Sequence, residues 1–382
     1  MAKARKNDSF IIAAKRLPIG KRNGMFKKFT AETLAAAVIR SIIRIDHGYI
    51  DDTIIGHYGG AYEAPGGVLH LKQNPAKQAV MEAGFRSLNA FTLNKVCSSG
   101  LRSVMLADSM IRAEHAKCVL AGGMESLSGF SKENILALLR DPFDGYMTYE
   151  AGEWCAKKCG IGREEQDDWA IESYKRARFA MNNNFFEEEI LPLNGMDKDE
   201  EPLCGPDEKY ILSDKTIFEI LNKTTGGTIT PSNASKNADG AAICLVANET
   251  IAKMPDVQPI GRILGHASYA LEGDTKSFTI APPFAIRSAI ANAGLKLGDI
   301  DFFEINAAFA CVVLYAIREL KLDRLMVNFH GDAISFGHPI GATGTILLVK
   351  MLHLLKHSGA RYGVVSLCNA GGEATAMVVE SL

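Results

Sequence analysis

Two cysteines and a histidine stand in sequence contexts that suit nucleophilic chemistry. Cys97 lies in TLNKVCSSGLRSVM, where an apolar strand runs into small residues and then a helix. A thiol at a helix start faces free backbone N–H groups and the positive end of the helix dipole, which lower its pKa and favour thiolate. Cys97 is therefore the candidate nucleophile, although an isolated cysteine before a helix is more often structural.

His338 and Cys368 are the candidate acid and base groups. His338 stands in SFGHPIGATG, where glycines let the backbone turn tightly and the following proline fits the first turn of a helix. Histidine can take a thiol proton near neutral pH, although His338 alone could also cap its own helix. Cys368, in VVSLCNAGGEA, ends an apolar strand. There it is either a second acid or base, or a buried strand-end residue.

Asn306 adds a polar amide at the end of another apolar strand, in FFEINAAFA. Ligands of open α/β sheets collect at such strand ends, where an amide can hold a water or polarise a carbonyl. A lone asparagine can equally turn the chain. These side chains can act together only if the fold brings distant segments to one place.

Short apolar runs alternate with helical patterns along much of the chain, which indicates parallel α/β layers. The strand-like segments are DSFIIAA, DDTIIGHY, CVLAGG, AAICLVA, DFFEI and GVVSLC. The helix-like segments, with apolar residues three and four apart, are AETLAAAVIRSIIRI, GLRSVMLADSMIRAEH, PFAIRSAIANAG and GTILLVKMLHLLKHSG.

A weak internal repeat relates the two ends of the chain. Cys97 and His338 each open a predicted helix after a strand, and Gly100 or Gly341 follows three residues later. Duplicated α/β domains packed about a pseudo-dyad would bring these junctions together. The region 120–235 between the halves is turn-rich and acidic, with one helical stretch in REEQDDWAIESYKRARFAM, and we interpret it as an insertion that covers the ligand.

Composition narrows the class of partner. The chain has 382 residues, 47% of them apolar, and a formal net charge of -2 with scattered basic residues. Neither nucleic acid nor an anionic membrane is expected to bind, so we expect a small-molecule substrate. No apolar run approaches the ~20 residues of a membrane span, which predicts a soluble, cytoplasmic protein.

The eight cysteines suggest reduced thiols rather than a disulfide framework. The only close pair, Cys155 and Cys159, lacks a second pair or a nearby histidine to complete a zinc site, so no metal is expected.

Taken together, these motifs resemble the thiolase family along nearly the whole chain. The matching segments are IIAAKRLPIGKRNG, NKVCSSGL, AGGMESLS, GTITPSNASKNADGAA, FEINAAFA, GHPIGATG and CNAGGEATAM. The resemblance implies a thiolase-like α/β fold of two duplicated domains in a five-layer αβαβα arrangement. The implied domains are 1–119, completed by about 236–250, a loop-rich covering domain 120–235, and 251–382.

The resemblance also implies a role for each catalytic candidate. Cys97 would be the acylated nucleophile, His338 its activator, and Cys368 the group that moves the α-proton of the second substrate. The backbone N–H groups of Cys97 and Ala370 would stabilise the first oxyanion. A water held by Asn306, together with His338, would stabilise the enolate. No permanently bound cofactor is implied, because a coenzyme A thioester is the substrate.

The same resemblance assigns the substrate-binding residues. Ser235 would contact the pantetheine arm of coenzyme A, and Ala308, Phe309 and Phe278 would line its tunnel. Met147 begins the acyl-pocket loop, where this chain reads Met-Thr-Tyr instead of the His-Met-Gly of many members.

Three positions depart from the family pattern: Ala307 replaces a glutamate, Ala370 replaces a glycine, and Asp332 is an additional acid close to His338 in sequence. The favoured activity is acetyl-CoA C-acetyltransferase. The alternatives are a 3-ketoacyl-CoA thiolase of broader chain length and a coenzyme A-binding paralogue without turnover. The segment after GGMESLS lacks the long excursion of tetrameric members, which predicts a homodimer.

Overall fold

The computed structural model describes residues 7–63, 69–221 and 226–382, and the side chains of 61–63 and 69–71 lie outside that description. The strands, in chain order, are β1 (Ser9–Arg16), β2 (Gly20–Lys21), β3 (Asp52–Gly56), β4 (Ala61–Glu63), β5 (Leu69–Leu71), β6 (Phe91–Leu93), β7 (Cys118–Ser126), β8 (Ala238–Asn248), β9 (Gly261–Ala270), β10 (Phe302–Ile305), β11 (Tyr362–Asn369) and β12 (Glu373–Ser381).

The helices are α1 (Ala31–Ile42), α2 (Pro75–Glu82), α3 (Ser99–Arg112), α4 (Lys132–Leu138), α5 (Thr148–Cys159), α6 (Arg163–Asn182), α7 (Glu200–Cys204), α8 (Glu208–Ser213), α9 (Ile217–Ile220), α10 (Glu249–Ala252), α11 (Pro282–Ala293), α12 (Ala310–Leu320), α13 (Ala333–Phe336) and α14 (Thr343–Ser358). In the part of the chain described here, no helix is both long and apolar enough to span a bilayer.

Ten strands form one mixed sheet in the order β10-β11-β12-β9-β1-β8-β7-β3-β6, with β2 paired to β8, while β4 and β5 form a separate hairpin. Each strand and helix segment predicted from the apolar pattern is present. The sheet is not wholly parallel, however, because only β10–β11, β3–β6 and β3–β7 pair in parallel. Tight connections such as the turn between β11 and β12 force antiparallel neighbours.

The elements stack in five layers around three large apolar cores. Helices α1 and α2 cover the outer face of the N-terminal half of the sheet, and α11 and α12 cover the outer face of the C-terminal half. Helices α3 and α14 lie between the two halves. Strand β1 pairs with β8 on one side and β9 on the other, so the halves share one continuous sheet. The expected αβαβα arrangement is confirmed.

The two glycines of the internal repeat meet in the central layer. A Cβ on Gly100 would lie 2.8 Å from the carbonyl oxygen of Gly341, and a Cβ on Gly344 would lie 2.6 Å from the amide nitrogen of Leu101. Helices α3 and α14 can therefore approach this closely only because these positions lack side chains. This close approach brings the Cys97 and His338 segments together.

The segment between β7 and β8 lies over the sheet edge at which these two junctions meet. It contains α4 to α9, and the predicted helix in this region is α6. Residue 119, where the first predicted domain ends, lies inside β7, which continues in the sheet to Ser126.

Two buried histidines predict a loss of stability in acid. Burial lowers the pKa of His330 to about 3 and that of His353 to about 4, whereas both are near 6.5 in an unfolded chain. The unfolded state therefore binds more protons between these values, and stability falls as pH drops from about 6.5 to about 4. We expect the melting temperature to fall over this range.

His330→Phe should make that decline shallower, because the ring contacts Phe185 and Phe186 and an apolar ring can replace it. His115→Phe, at an exposed position, is the control, and its melting temperature should fall with pH as steeply as that of the wild type. Equal slopes in His330→Phe and wild type, measured by scanning calorimetry, would contradict the assignment.

Candidate active site

Cys97 lies on a strained turn between β6 and α3. The preceding residue, Val96, has a φ of 51°, a left-handed conformation that β-branched residues rarely adopt. The hydroxyl of Ser99 holds this turn, since it accepts the N–H of Lys95 at 2.8 Å and donates to the carbonyl of Val96 at 2.6 Å. Strain kept in place by such bonds is typical of functional sites, and here it fixes the nucleophile candidate just before the first turn of α3.

The Cys97 side chain faces a largely apolar cavity of about 240 Å³. Six other predicted site residues line it, namely His338, Ala370, Ser235, Phe278, Ala308 and Phe309. The backbone explains part of this grouping: the N–H of Ser235 donates to the carbonyl of Ala308 at 2.9 Å, so the segment before β8 runs beside the start of α12. Their proposed roles in binding coenzyme A remain predictions.

Met147 is not part of this lining. It is the N-cap residue of α5, and its side chain borders a neighbouring hollow together with Tyr149 and Leu221. Thr148, one residue later, reaches the cavity instead. Successive residues at a helix start point about 100° apart, so an alignment shift of one residue suffices to exchange the two.

The Cys97 thiol is protonated in the resting site, contrary to the expectation from its helix-start position. Burial raises its pKa to about 12. The backbone N–H groups of Cys97 itself and of Ala370 point at the sulfur and lower the pKa, but by less. Those two donors are the pair expected to bind the oxyanion, and they converge on one atom. Such a thiol needs a base in order to attack.

His338 is neutral and lines the same cavity as Cys97, so it is the candidate base. Burial lowers its pKa to about 4. Its Nδ1 lies 2.6 Å from the hydroxyl oxygen of Thr343, whose own proton is donated to the carbonyl of Pro339 at 2.9 Å. The hydroxyl must therefore accept from Nδ1–H, which leaves Nε2 with its lone pair. Nε2 has no hydrogen-bond partner among the described residues.

One local detail of the His338 segment differs from the sequence prediction. Helix α14 begins at Thr343, so His338 and Pro339 lie in the loop between α13 and α14 rather than in a first helical turn. The backbone N–H of His338 donates to the carbonyl of Lys236 at 2.7 Å. A loop held in this way, instead of a helix, sets the direction of the imidazole.

Cys368 and Ala370 lie at the turn between β11 and β12. Gly371 and Gly372 have φ values of 97° and 83°, whereas Ala370 does not need a positive φ. Alanine therefore replaces the family's glycine without backbone strain, and its N–H still reaches Cys97. Burial raises the pKa of Cys368 well above its ordinary value, and the neighbouring Cys97 raises it further. Cys368 is fully buried and is not among the residues that line the cavity, although Ala370 and Gly371 are.

Two contacts hold this turn against the Cys97 turn. The hydroxyl of Ser98 donates to the side-chain oxygen of Asn369 at 2.8 Å, and Lys95 forms an ion pair with Glu373. Each pair joins residues separated by more than 270 positions in sequence. The distance between the two thiols is thus fixed by side chains that flank them.

Asn306 follows β10 and is fully buried, and neither its amide oxygen nor its amide nitrogen has a partner in the described ranges. An unpaired buried polar group costs ~1–3 kcal/mol. Its backbone is held firmly, because its N–H donates to the carbonyl of Ser366 at 2.9 Å and Asn328 forms two hydrogen bonds with the preceding Ile305. The amide is therefore fixed in place with its polar atoms available for substrate or water.

The additional acid Asp332 does not act on the His338 ring. Its carboxylate accepts hydrogen bonds from the Trp169 indole and the Ser173 hydroxyl, both at 2.8 Å, and from Asn328 at 3.1 Å. It also caps α13 through the N–H of Ile334. Asp332 therefore supports both the loop before His338 and the residue that holds the end of β10. Ala307 is buried in the apolar core beside these elements.

Glu125, at the end of β7, is a supporting residue that the sequence analysis missed. Its buried carboxylate accepts the N–H groups of Tyr58 at 3.1 Å and Gly341 at 2.9 Å, and the Nε2 of His57 at 3.1 Å. Burial favours the neutral acid, but His57 and these backbone donors outweigh it and lower the pKa of Glu125. An acidic residue within the apolar run of AGGMES was the signal available in the sequence.

The observed side chains offer thiol chemistry. All eight cysteines are free, and within the described ranges no three histidine, cysteine or acidic side chains are arranged to hold a metal ion. A buried thiol, a neutral base, two convergent N–H donors and a second thiol define a class of enzyme that transfers acyl groups through a cysteine.

Comparisons with known proteins identify the family within that class. The family models described as "Thiolase, N-terminal domain" and "Thiolase, C-terminal domain" match residues 9–250 and 257–381. A probable acetyl-CoA acetyltransferase of Dictyostelium discoideum is 36% identical over 405 residues, which cover 97% of this chain and 94% of the relative.

Two solved structures are similar over nearly their whole length. The acetyl-CoA acetyltransferase of Bacillus anthracis has a TM-score of 0.90 and 30% identity, covering 98% of this chain and 99% of that one. Human mitochondrial 3-ketoacyl-CoA thiolase in complex with CoA has a TM-score of 0.89 and 29% identity, covering 98% of each chain. The chain belongs to the thiolase family and is an acyltransferase with the expected thiolase-like fold.

The hydrogen bond from His338 to Thr343 can be tested directly. Thr343→Val keeps the side-chain volume but removes the acceptor that holds the proton on Nδ1, so a fraction of the imidazole will carry it on Nε2. We expect acylation of Cys97 to slow, by less than the ~10²–10⁴-fold typical of losing a positioned base outright.

The measurement is the rate of acetyl incorporation from acetyl-CoA by mass spectrometry. Thr345→Val is the matched control, because its buried hydroxyl has no hydrogen-bond partner among the described residues and it lies two positions further along the same helix. Equal rates in Thr343→Val and wild type would remove Thr343 from this role.

Proposed function

We propose that this protein is an acetyl-CoA C-acetyltransferase, which condenses two molecules of acetyl-CoA or cleaves acetoacetyl-CoA with coenzyme A. The observation that carries the proposal is the convergence of the Cys97 and Ala370 N–H groups on the Cys97 sulfur, in a cavity that His338 also lines. The acetyl-CoA acetyltransferase names of the relative from Dictyostelium and the structure from Bacillus anthracis support the acetyl group as substrate.

In the first half-reaction, Cys97 attacks the thioester carbonyl while His338 Nε2 takes the thiol proton. The tetrahedral oxyanion lies against the N–H groups of Cys97 and Ala370. The carbon–sulfur bond to coenzyme A then breaks, and His338 returns the proton to the departing thiolate. Acetyl-Cys97 and free coenzyme A result. The neutral state of both groups at rest suits this sequence, because the imidazole accepts a proton only as the thiol attacks.

In the second half-reaction, His338 Nε2 takes the thiol proton of Cys368, and the resulting thiolate removes a proton from the methyl group of the second acetyl-CoA. The enolate is stabilised by the protonated His338 and by the amide of Asn306, directly or through water. Its carbon attacks the acetyl carbonyl, a carbon–carbon bond forms, and Cys97 leaves as thiolate. His338 then gives its proton to Cys97 while Cys368 keeps the proton taken from the substrate, so all three groups return to their neutral resting forms. Cleavage of acetoacetyl-CoA follows the same steps in reverse.

The departures at Ala307 and Asp332 raise an alternative, namely a paralogue that binds coenzyme A without catalytic turnover. The contacts of Asp332 with Trp169 and Asn328 argue for turnover, because they organise the segments that carry His338 and Asn306 instead of perturbing the imidazole.

The proposal also includes a cytoplasmic location. Eight free cysteines support it, since unpaired thiols persist in reducing compartments.

The mechanism predicts that the two thiols can be separated experimentally. Acetyl-CoA treatment should add one acetyl group, on the peptide that contains Cys97. Cys368→Ala should still form acetyl-Cys97 and still exchange labelled coenzyme A into acetyl-CoA, because His338 and the first oxyanion site remain. Condensation should fail, since no positioned base remains for the α-proton. Cys97→Ala should lose both activities.

Cys204→Ala is the thiol control, because Cys204 is exposed on α7 and distant in sequence from every site residue. An acetyl group found on Cys368 would reverse the two roles. Loss of exchange as well as condensation in folded Cys368→Ala would show that this thiol is also needed for acylation. Wild-type condensation in that variant would mean that another group is the base.

The proposed assembly is a homodimer joined through the N-terminal half of the sheet. Strand β6 ends the order of strands there, and Phe91 on it is 37% exposed. An unpaired strand edge with an exposed aromatic residue is a ready surface for pairing with a second copy. Light scattering at micromolar concentration should report a dimer, and Phe91→Lys should shift the distribution toward monomer. A tetramer, or a dimer unaffected by Phe91→Lys, would contradict this assembly.

A further inference from the structure

Tyr58 is held rigidly between the two catalytic segments. It follows β3, and its backbone N–H donates to the carboxylate of Glu125 at 3.1 Å while its carbonyl accepts the side-chain amide of Asn94 at 3.3 Å. Gly341 packs directly against this backbone, since a Cβ there would lie 2.9 Å from the Tyr58 nitrogen. The main chain at Tyr58 therefore cannot shift without moving the loop that carries His338.

The phenol of Tyr58 is fixed at its far end as well. Its hydroxyl donates to the carbonyl of Leu138, the last residue of α4, at 2.5 Å. The ring thus bridges from the edge of the sheet to the covering segment and lies along the cavity wall beside Cys97. Rotation of the ring away from the cavity would break a hydrogen bond that is partly shielded from water.

The part of the cavity wall that carries Tyr58 is apolar, whereas Ser235, His338 and Asp141 are among the polar residues that line other parts of the cavity. Val96, Leu138, Leu139 and Ile340 form this apolar part together with Tyr58, and they pack on a small separate core under α4. An acyl group on Cys97 that extends along this wall meets apolar side chains. The phenol hydroxyl is already satisfied by Leu138, so Tyr58 offers the acyl chain its ring as an apolar contact and as a limit to its length.

We propose that Tyr58 is a specificity-determining residue, which restricts the acyl group on Cys97 to acetyl by filling the adjacent space with a ring that its bond to Leu138 holds in place. This inference rests on the proposed acetyltransferase function. The limit on acyl chain length is thereby assigned to a residue outside the segments that contain the catalytic and the coenzyme A-binding residues. The bulk of the ring sets the limit, and the hydroxyl keeps the covering segment closed over it.

The experiment measures acylation of Cys97 by acetyl-CoA and by butyryl-CoA separately, by mass spectrometry of the intact protein. One methylene in an apolar pocket changes the rate by ~10–200-fold. Tyr58→Ala should therefore raise the ratio of butyrylation to acetylation by at least about 10-fold. Tyr58→Phe, which keeps the ring and loses the hydroxyl, should change that ratio less than Tyr58→Ala does.

Tyr210→Ala is the matched control, because Tyr210 is 58% exposed on α8 and does not line the cavity, so the ratio should stay at the wild-type value. Tyr58→Leu provides a second test if the alanine variant fails to fold. An unchanged ratio in folded, acetyl-competent Tyr58→Ala or Tyr58→Leu overturns this inference alone. Absence of acetylation in the wild type would instead overturn the proposed function.

Discussion

The site depends on one buried carboxylate. Glu125 accepts hydrogen bonds from Tyr58, Gly59, Gly341 and His57, so a single charged group joins the end of β3 to the loop that carries His338. In a low-dielectric interior such bonds are strong when every acceptor position is used, and removing one partner of a buried charge costs ~3–5 kcal/mol. The loop that carries His338 is thus tied by this carboxylate to the segment that follows β3.

The close packing of glycines makes that link possible. Gly100 and Gly341 occupy equivalent positions in the two halves and touch each other in the central layer. Side chains at either position would separate α3 from α14 and withdraw the Gly341 N–H from Glu125. The weak repeat in the sequence thus has a physical meaning. Each half supplies one turn, and the glycine in each turn lets the two turns approach each other closely.

Sequence patterns predicted Cys97, Cys368 and Asn306 as site residues because each stands at or near the end of an apolar strand, and strand ends collect at one edge of a sheet. His338 was predicted from its flanking glycines, and it lies after the short helix α13 instead of after a strand. The same patterns gave the wrong direction for the pKa of Cys97, because dipole and helix position are local whereas burial depends on the whole fold. Thr343 contacts His338 across a loop, and Glu125 contacts segments that are far away in the chain. Residue spacing alone does not reveal either contact. Met147 borders a neighbouring hollow while Thr148 reaches the cavity, because a shift of one residue decides which cavity a helix start faces.

Burial of both thiols shapes the order of the proposed reaction. Burial raises the pKa of Cys368 well above its ordinary value, and the neighbouring Cys97 raises it further, so the site disfavours two thiolates at once. Acylation turns Cys97 into a thioester, which cannot ionise, and this competition between the two thiols then ends. The base for carbon–carbon bond formation is therefore least hindered after the electrophile has formed.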